Sequence, residues 1–161
     1  MDQYSTHTEL LKFLMDNLAI ETVLELGMGH FSTPLFRSYP GVSLVSLASD
    51  INWVNQFSPG PNHTVGAYPL LGFARNVTWF DLAFVDGNPA SERAACVQEL
   101  LLKTRLVVAH DTGPEDNWNY HYDEIVLPEG FVRLDYTKKS PWTSVFTADA
   151  EVIAKVQEFN G

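Results

Sequence analysis

The stretch ETVLELGMGHFST, residues 21–33, narrows the folds open to this chain more than any other. Its first half is a short apolar run with a β-branched start, which reads as a strand buried on both faces. Gly27 and Gly29 end that strand in a tight turn, where glycine allows positive φ and lets backbone N–H groups approach a ligand closely. The pattern is G-x-G-x-x-S, with Ser32 in place of the third glycine of a dinucleotide loop, and no lysine follows as a phosphate-cradling P-loop requires. Taken alone, the turn suits a ligand-binding loop and an ordinary strand–turn–helix corner equally well.

Other segments repeat the theme. GVSLVSLAS (strand 42–49), FDLAFVDG (80–87) and RLVVAHD read as further buried strands. Leu10, Leu11, Leu14, Met15 and Leu18 recur at helical spacing, with Ser5, Thr6 or Thr8 as cap. A second helix spans 91–104, capped by Ser91, with apolar faces from Ala94, Ala95, Val97, Leu101 and Leu102. Between strands, FSPGPNHTVGAYPLLGFARNVTW is loop-rich, and His63 falls in it as a loop residue. GFVRLDYT and WTSVFTA form two last strands joined around KKSPW, and a terminal helix covers 150–159. Strands alternating with helices imply an α/β fold: a three-layer, Rossmann-like, doubly wound and mostly parallel sheet with an antiparallel C-terminal edge hairpin. The 161 residues make one domain, 1–161.

Ligands of such sheets bind outside the carboxyl ends of the central strands. Three strand ends therefore become candidates: 25–33, 86–93 and 110–113. Carboxylates and an imidazole at the ends of apolar strands are costly to hold there without partners or a task, which draws attention to Asp86, His110 and Asp111. The partners expected are not nucleic acid or an anionic membrane. Twenty acidic against ten basic residues leave a net charge of −10, and Lys138–Lys139 is the only adjacent basic pair. A single cysteine, Cys96, excludes a disulfide framework or a cysteine metal cluster. The N-terminus lacks the pattern of a signal peptide and no apolar run reaches bilayer length, so a cytoplasmic protein is expected.

The combination VLELGMGHFST…SLVSLASDINW…FDLAFVDGNPASER…RLVVAHDT resembles the class I S-adenosylmethionine-dependent methyltransferases. Within them it is most similar to the small-molecule branch with VDG and HD strand ends. The resemblance implies a cofactor site at Glu25, Gly27, Met28, Gly29, His30 and Ser32, continuing through Ser49, Asp50 and Asp86, with Glu25 organising water or the cofactor's amino group. Its frame V-S-V-E-x-D-x-x-W reads VSLASDINW here. Ala48 thus replaces the acid that normally grips the ribose, and Asp50 is the nearest substitute. Trp53 is expected to pack in the core or against the ribose.

The resemblance also implies catalytic roles for His110, Asp111 and Asp86. Either these three bind a divalent metal beside a small-molecule acceptor, or His110 is the general base and Asp111 fixes its tautomer. His7 and Tyr4 start a helix that in the family closes over the site. Trp118, Tyr120, His121 and Tyr122 would line the acceptor pocket, or bury one another in a loop or at a dimer interface; a homodimer is compatible with these aromatics. The activity implied is methyl transfer from S-adenosylmethionine to an oxygen or nitrogen of a small molecule. Two other readings stay open: a degenerate binder of S-adenosyl or adenosine ligands, kept alive by Ala48, and a metal-dependent hydrolase or a lyase acting in the same crevice.

Overall fold

The computed structural model describes residues 2–161. Its strands are β1 (Thr22–Leu26), β2 (Ser43–Ala48), β3 (His63–Ala67), β4 (Phe80–Val85), β5 (Thr104–His110), β6 (Val132–Tyr136) and β7 (Thr143–Thr147). They form one sheet in the order β3-β2-β1-β4-β5-β7-β6. Every pairing is parallel except those of β7, which runs against both β5 and β6. The C-terminal hairpin is therefore present, with β7 inserted beside β5 and β6 left at the edge.

Alternate residues of the central strands feed two cores, as a strand's period of two requires. Val23, Leu82, Phe84, Leu106 and Val108 face α1 (Thr8–Asn17), α2 (Ser32–Arg37) and α7 (Ala150–Asn160). Leu24, Leu26, Ala83, Val85 and Val107 face α4 (Leu70–Asn76) and α5 (Arg93–Leu100). Two short helices, α3 (Ile51–Val54) and α6 (Asn117–Tyr120), lie by the carboxyl ends of the strands. The chain runs from β1 outward to β3 and returns to β4 on the other side of β1. That reversal opens a crevice above β1 and β4. No helix among the described residues is long and apolar enough to cross a membrane.

Four local expectations need correction. The middle segment contains β3 and α4, and His63 is a buried residue of β3 rather than a loop residue. β3 is an edge strand with one neighbour, so its five residues HTVGA carry little of the apolar signal that marks an interior strand. Ser91 does not cap the second long helix; it lies in a 3₁₀ turn (Ala90–Glu92), and α5 starts at Arg93. That helix also ends at Leu100, because the chain must turn and enter β5 at Thr104. At α1 the capping position belongs to His7, which makes no capping bond, while the Thr8 hydroxyl donates to the Ser5 carbonyl.

Candidate functional site

A cavity of about 1020 Å³ lies over the carboxyl ends of the strands. One wall is the glycine turn, from Gly27 to Ser32; a second is the end of β2, with Ala48, Ser49 and Asp50. Asp86 and Gly87 after β4, His110 at the end of β5 and Asp111 just after it form the floor. The N-terminal segment closes the cavity with Tyr4 and His7.

The glycine turn is wired into the protein. Gly27 and Met28 donate their N–H groups to the Leu47 carbonyl at 2.8 and 3.2 Å, and Gly29 N donates to Thr33 Oγ1 at 3.0 Å. Trp53 Nε1 in turn donates to the Met28 carbonyl at 2.7 Å. The N–H groups of Gly27, Met28 and Gly29 are thus spent on internal bonds and give a ligand a shaped wall at this part of the turn. Gly27 is required by the fold itself: its φ is +102°, and a Cβ there would stand 2.3 Å from the Gly87 nitrogen. Gly29, whose added Cβ would meet only Ser32 Oγ at 3.7 Å, keeps the cavity open.

Glu25 does not line the cavity. It is fully buried behind the turn, where Ser32, Thr33 and Ser46 donate hydroxyl hydrogens to its carboxylate at 2.5–3.0 Å. His63 Nε2 lies 2.9 Å from Ser46 Oγ and extends the chain to β3. The expected role of organising ligand or water gives way to fixing α2 and the turn against β2. Burial pushes the Glu25 carboxyl up from 4.5 to about 7, with the three hydroxyl donors pulling the other way.

A raised folded-state value means the folded protein holds a proton that the unfolded chain releases between these two pH values. The stability contributed by that proton is complete below pH 4.5 and is lost as pH rises through about 7. Each pH unit is worth about 1.4 kcal/mol, so wild type should lose about 3 kcal/mol relative to Glu25→Gln across this window. Urea unfolding of both proteins over a pH series measures the difference. A constant difference would show that Glu25 is ionised at ordinary cost.

The floor is an ionic cluster built around the last residue of the candidate stretch 86–93, to which the sequence assigned no role. Arg93, at the start of α5, is buried. Its Nε donates to the Gly87 carbonyl at 2.7 Å, and Nη1 contacts Asp86 Oδ1 at 3.0 Å and Asp111 Oδ2 at 2.9 Å. The guanidinium also stacks on Tyr120, 4.3 Å from the ring centre. The signal available in the sequence was an arginine seven residues after the strand-end Asp86, one 3₁₀ turn and a helix start away. Asp111 reaches Arg93 from a left-handed backbone, φ +57°, a rare conformation for a residue other than glycine.

His110 is enclosed on both ring nitrogens. Nε2 lies 2.9 Å from Thr6 Oγ1, and Nδ1 lies 3.5 Å from Asp86 Oδ1 and 3.4 Å from Asp111 Oδ1. The Thr6 hydroxyl has one hydrogen, which it donates to the Pro141 carbonyl at 3.1 Å. Nε2 then carries a hydrogen of its own, and Nδ1 is the nitrogen that faces the two carboxylates. Burial works against the imidazolium, but the bond to Asp86 and the charges of Asp86 and Asp111 outweigh it and raise the His110 pKa. Asp86 is held below the usual carboxylate range: burial opposes ionisation, and His110 and Arg93 overcome it.

His7 is the opposite case. Its ring packs edge-on to His110 at 4.6 Å and near Phe84 at 5.0 Å, and neither nitrogen has a hydrogen-bond partner. Burial, followed by repulsion from His110, pulls its pKa down from 6.5 to about 4. The metal set expected from the sequence was Asp86, His110 and Asp111. Among the described residues, the set whose ligand atoms converge within 4.8 Å is His7, Asp86 and His110. Asp111 is instead drawn to Arg93.

Of the remaining expected residues, Gly27, Met28, Gly29, His30, Ser32, Ser49 and Asp50 all border the cavity. His30 stacks on Phe57 at 5.1 Å. Asp50 uses Oδ1 to cap α3, accepting from Asn52 N at 2.8 Å. Of the aromatic loop, only Tyr120 reaches the cavity. Trp118 is 78% exposed, and Tyr122 is buried with its hydroxyl on the His110 carbonyl at 3.0 Å.

No protein-family model matches this sequence, and no curated protein matches it either. Solved structures do match in fold. A Staphylococcus aureus protein assigned as a caffeoyl-CoA O-methyltransferase is similar at a TM-score of 0.68 and 13% identity, over 87% of this chain and 82% of that one. Human methyltransferase-like protein 13, solved in complex with SAH, is similar at 0.65 and 13% identity, over 99% and 92% of the two chains. A methyltransferase from Geobacter sulfurreducens is similar at 0.63 and 13% identity, over 89% and 80%. At such identities the likeness establishes a shared fold, that of Rossmann-like methyltransferases.

Proposed function

We propose that this protein transfers a methyl group from S-adenosylmethionine to an oxygen or nitrogen of a small molecule. The observation that carries the reading is the convergence of three strand ends, at Gly27–Gly29, Asp86–Gly87 and His110–Asp111, on one cavity in a fold shared with methyltransferases. The glycine turn would face the methionine and ribose portion of the cofactor. Ala48 cannot accept hydrogen bonds from ribose hydroxyls, so Ser49 and the free side of Asp50 take that role. Trp53 and His30 wall the same end.

The acceptor binds at the floor, between Tyr120 and the N-terminal segment. Methyl transfer is an in-line displacement in which the acceptor atom bonds the methyl carbon, the carbon–sulfur bond breaks, and the sulfonium becomes a neutral thioether. Most of the acceleration comes from aligning the two reactants. The acceptor's proton goes to the imidazole and carboxylate cluster. There neutral His110 is the proton acceptor through Nδ1, and Asp86 and Asp111, 3.5 and 3.4 Å from that nitrogen, stabilise the imidazolium that forms.

Calorimetry with S-adenosylmethionine and S-adenosylhomocysteine tests the reading. Both should bind with one-to-one stoichiometry. Absence of binding at ~1 mM, a bare −4 kcal/mol of affinity, would falsify it. Loss of S-adenosylmethionine without any methylated product would favour a lyase in the same cavity.

A further inference from the structure

We infer that His7, Asp86 and His110 form a binding site for a borderline divalent transition cation of the zinc class, with Asp111 outside it. Two imidazoles and one carboxylate make a donor set suited to zinc, cobalt, nickel or ferrous iron, and poorly suited to magnesium. All three residues border the cavity, and three protein ligands with one position left to water or substrate is the make-up of catalytic zinc centres.

Two independent features of the cluster support this. The first is spacing: the ligand atoms of the three residues lie within 4.8 Å of one another, and His110 Nδ1 is 3.5 Å from Asp86 Oδ1. Neighbouring donors of a tetrahedral zinc site stand about 3.3 Å apart, given metal–ligand bonds of about 2 Å. The second is His7 itself. It is 2% exposed, it borders the cavity, and both of its nitrogens are without a partner. Buried polar atoms are almost always bonded, so an orphaned imidazole at a cavity wall marks a place where something else supplies the partner.

The surroundings allow it. Arg93 holds Asp86 through Oδ1, and a carboxylate has two oxygens and four lone-pair sites, enough to meet a guanidinium and a cation together. Asp111 neutralises Arg93 from the other side. Thr6, bonded to both His110 and the Pro141 carbonyl, ties the N-terminal segment to the floor and so places His7 beside its partners. When bound, such a cation supplies a Lewis acid next to the acceptor site. His110 then serves as a ligand, which changes its assignment above; the site itself rests on geometry and stands whether or not the protein transfers methyl groups.

The test uses the tag-free full chain, stripped with a chelator, and no S-adenosyl ligand. Titration with Co²⁺, read by its visible absorption, and with Zn²⁺, read by calorimetry, should each show one equivalent bound. His7→Asn should weaken both by more than about 100-fold, while Asp111→Asn, which removes a partner of Arg93 and His110 and no ligand, should weaken them clearly less. X-ray absorption on the Zn²⁺-loaded wild type should show two imidazole ligands, a readout that needs no variant to fold. Failure of wild type to bind either ion overturns the inference. So does one imidazole in place of two, or binding that survives His7→Asn but is lost in Asp111→Asn. Failure of the methyl-transfer reading would leave these metal titrations unaffected, so the two outcomes are separable.

Discussion

Gly27→Ala is expected to prevent the domain from folding, or to destabilise it by more than about 4 kcal/mol, a size reached by few single substitutions. The backbone at Gly27 has φ +102°, outside the comfortable range of any L side chain. The added Cβ would also sit 2.3 Å from Gly87 N and 2.4 Å from the Asp86 carbonyl carbon. Those atoms are backbone at the end of β4, and β4 pairs with β1 through Val23–Leu82 to Leu26–Val85. Relief would require prying apart the two central strands. A typical domain has about 5–15 kcal/mol in total, so much of it would be spent. Gly29→Ala is the control: ordinary contact with Ser32 Oγ at 3.7 Å should leave stability close to wild type. Soluble yield and urea midpoints of the two variants make the comparison, and equal behaviour would overturn the packing argument.

Arg93→Met should cost about 3–5 kcal/mol, the range seen when one partner of a buried ion pair is removed. Methionine keeps the length of the side chain but leaves Asp86 and Asp111 facing each other without the shared cation. It also strands the Gly87 carbonyl, which receives Arg93 Nε. Arg93→Lys should recover only part of the loss, since an ammonium cannot hold two carboxylates and a carbonyl in one planar fork. The pH dependence has a definite sign. Asp86 has a depressed folded-state pKa, set by His110 and Arg93 against the opposing effect of burial. The stability it contributes is present above its ordinary value of 3.8 and is lost as pH falls through the folded one. The contribution of Asp86 to wild-type stability should therefore hold from neutral pH down to about 4 and be lost only below that. In Arg93→Met the same carboxylate loses its cation and should take up its proton at a higher pH than in wild type. Proton uptake at the same pH in both proteins would mean that the arginine acts through some other group.

The likeness to methyltransferase structures and the cavity lining bear on different questions. The fold is shared at 13% identity, a level at which function cannot be carried across and must be argued from the site. The features that distinguish this chain are its own: Ala48 where a ribose-binding acid is expected, an arginine fork between the two strand-end carboxylates, and an unpartnered histidine delivered by the first helix.

Much of the fold was legible in the residues alone. β1, β4 and β5 are interior strands with neighbours on both sides, so their sequences had to be nearly continuous apolar runs, and such runs are visible without coordinates. The strand-end residues Asp86, His110 and Asp111 were visible for the complementary reason, polar groups where apolar runs stop. β3 was not, because an edge strand half open to solvent carries no such run. What each polar group does was decided only in three dimensions. Glu25 stands two residues before Gly27, yet strand alternation turns it into the interior toward Ser46, away from the cavity. Asp111 looks like a ligand in sequence and is claimed by Arg93, 18 residues earlier. His7 meets His110 across more than 100 residues of chain, a proximity that no local pattern encodes. Burial and periodicity are properties of segments, and the sequence carries them. Hydrogen-bond and ion-pair partners are properties of which segments meet, and only the packed sheet determines those.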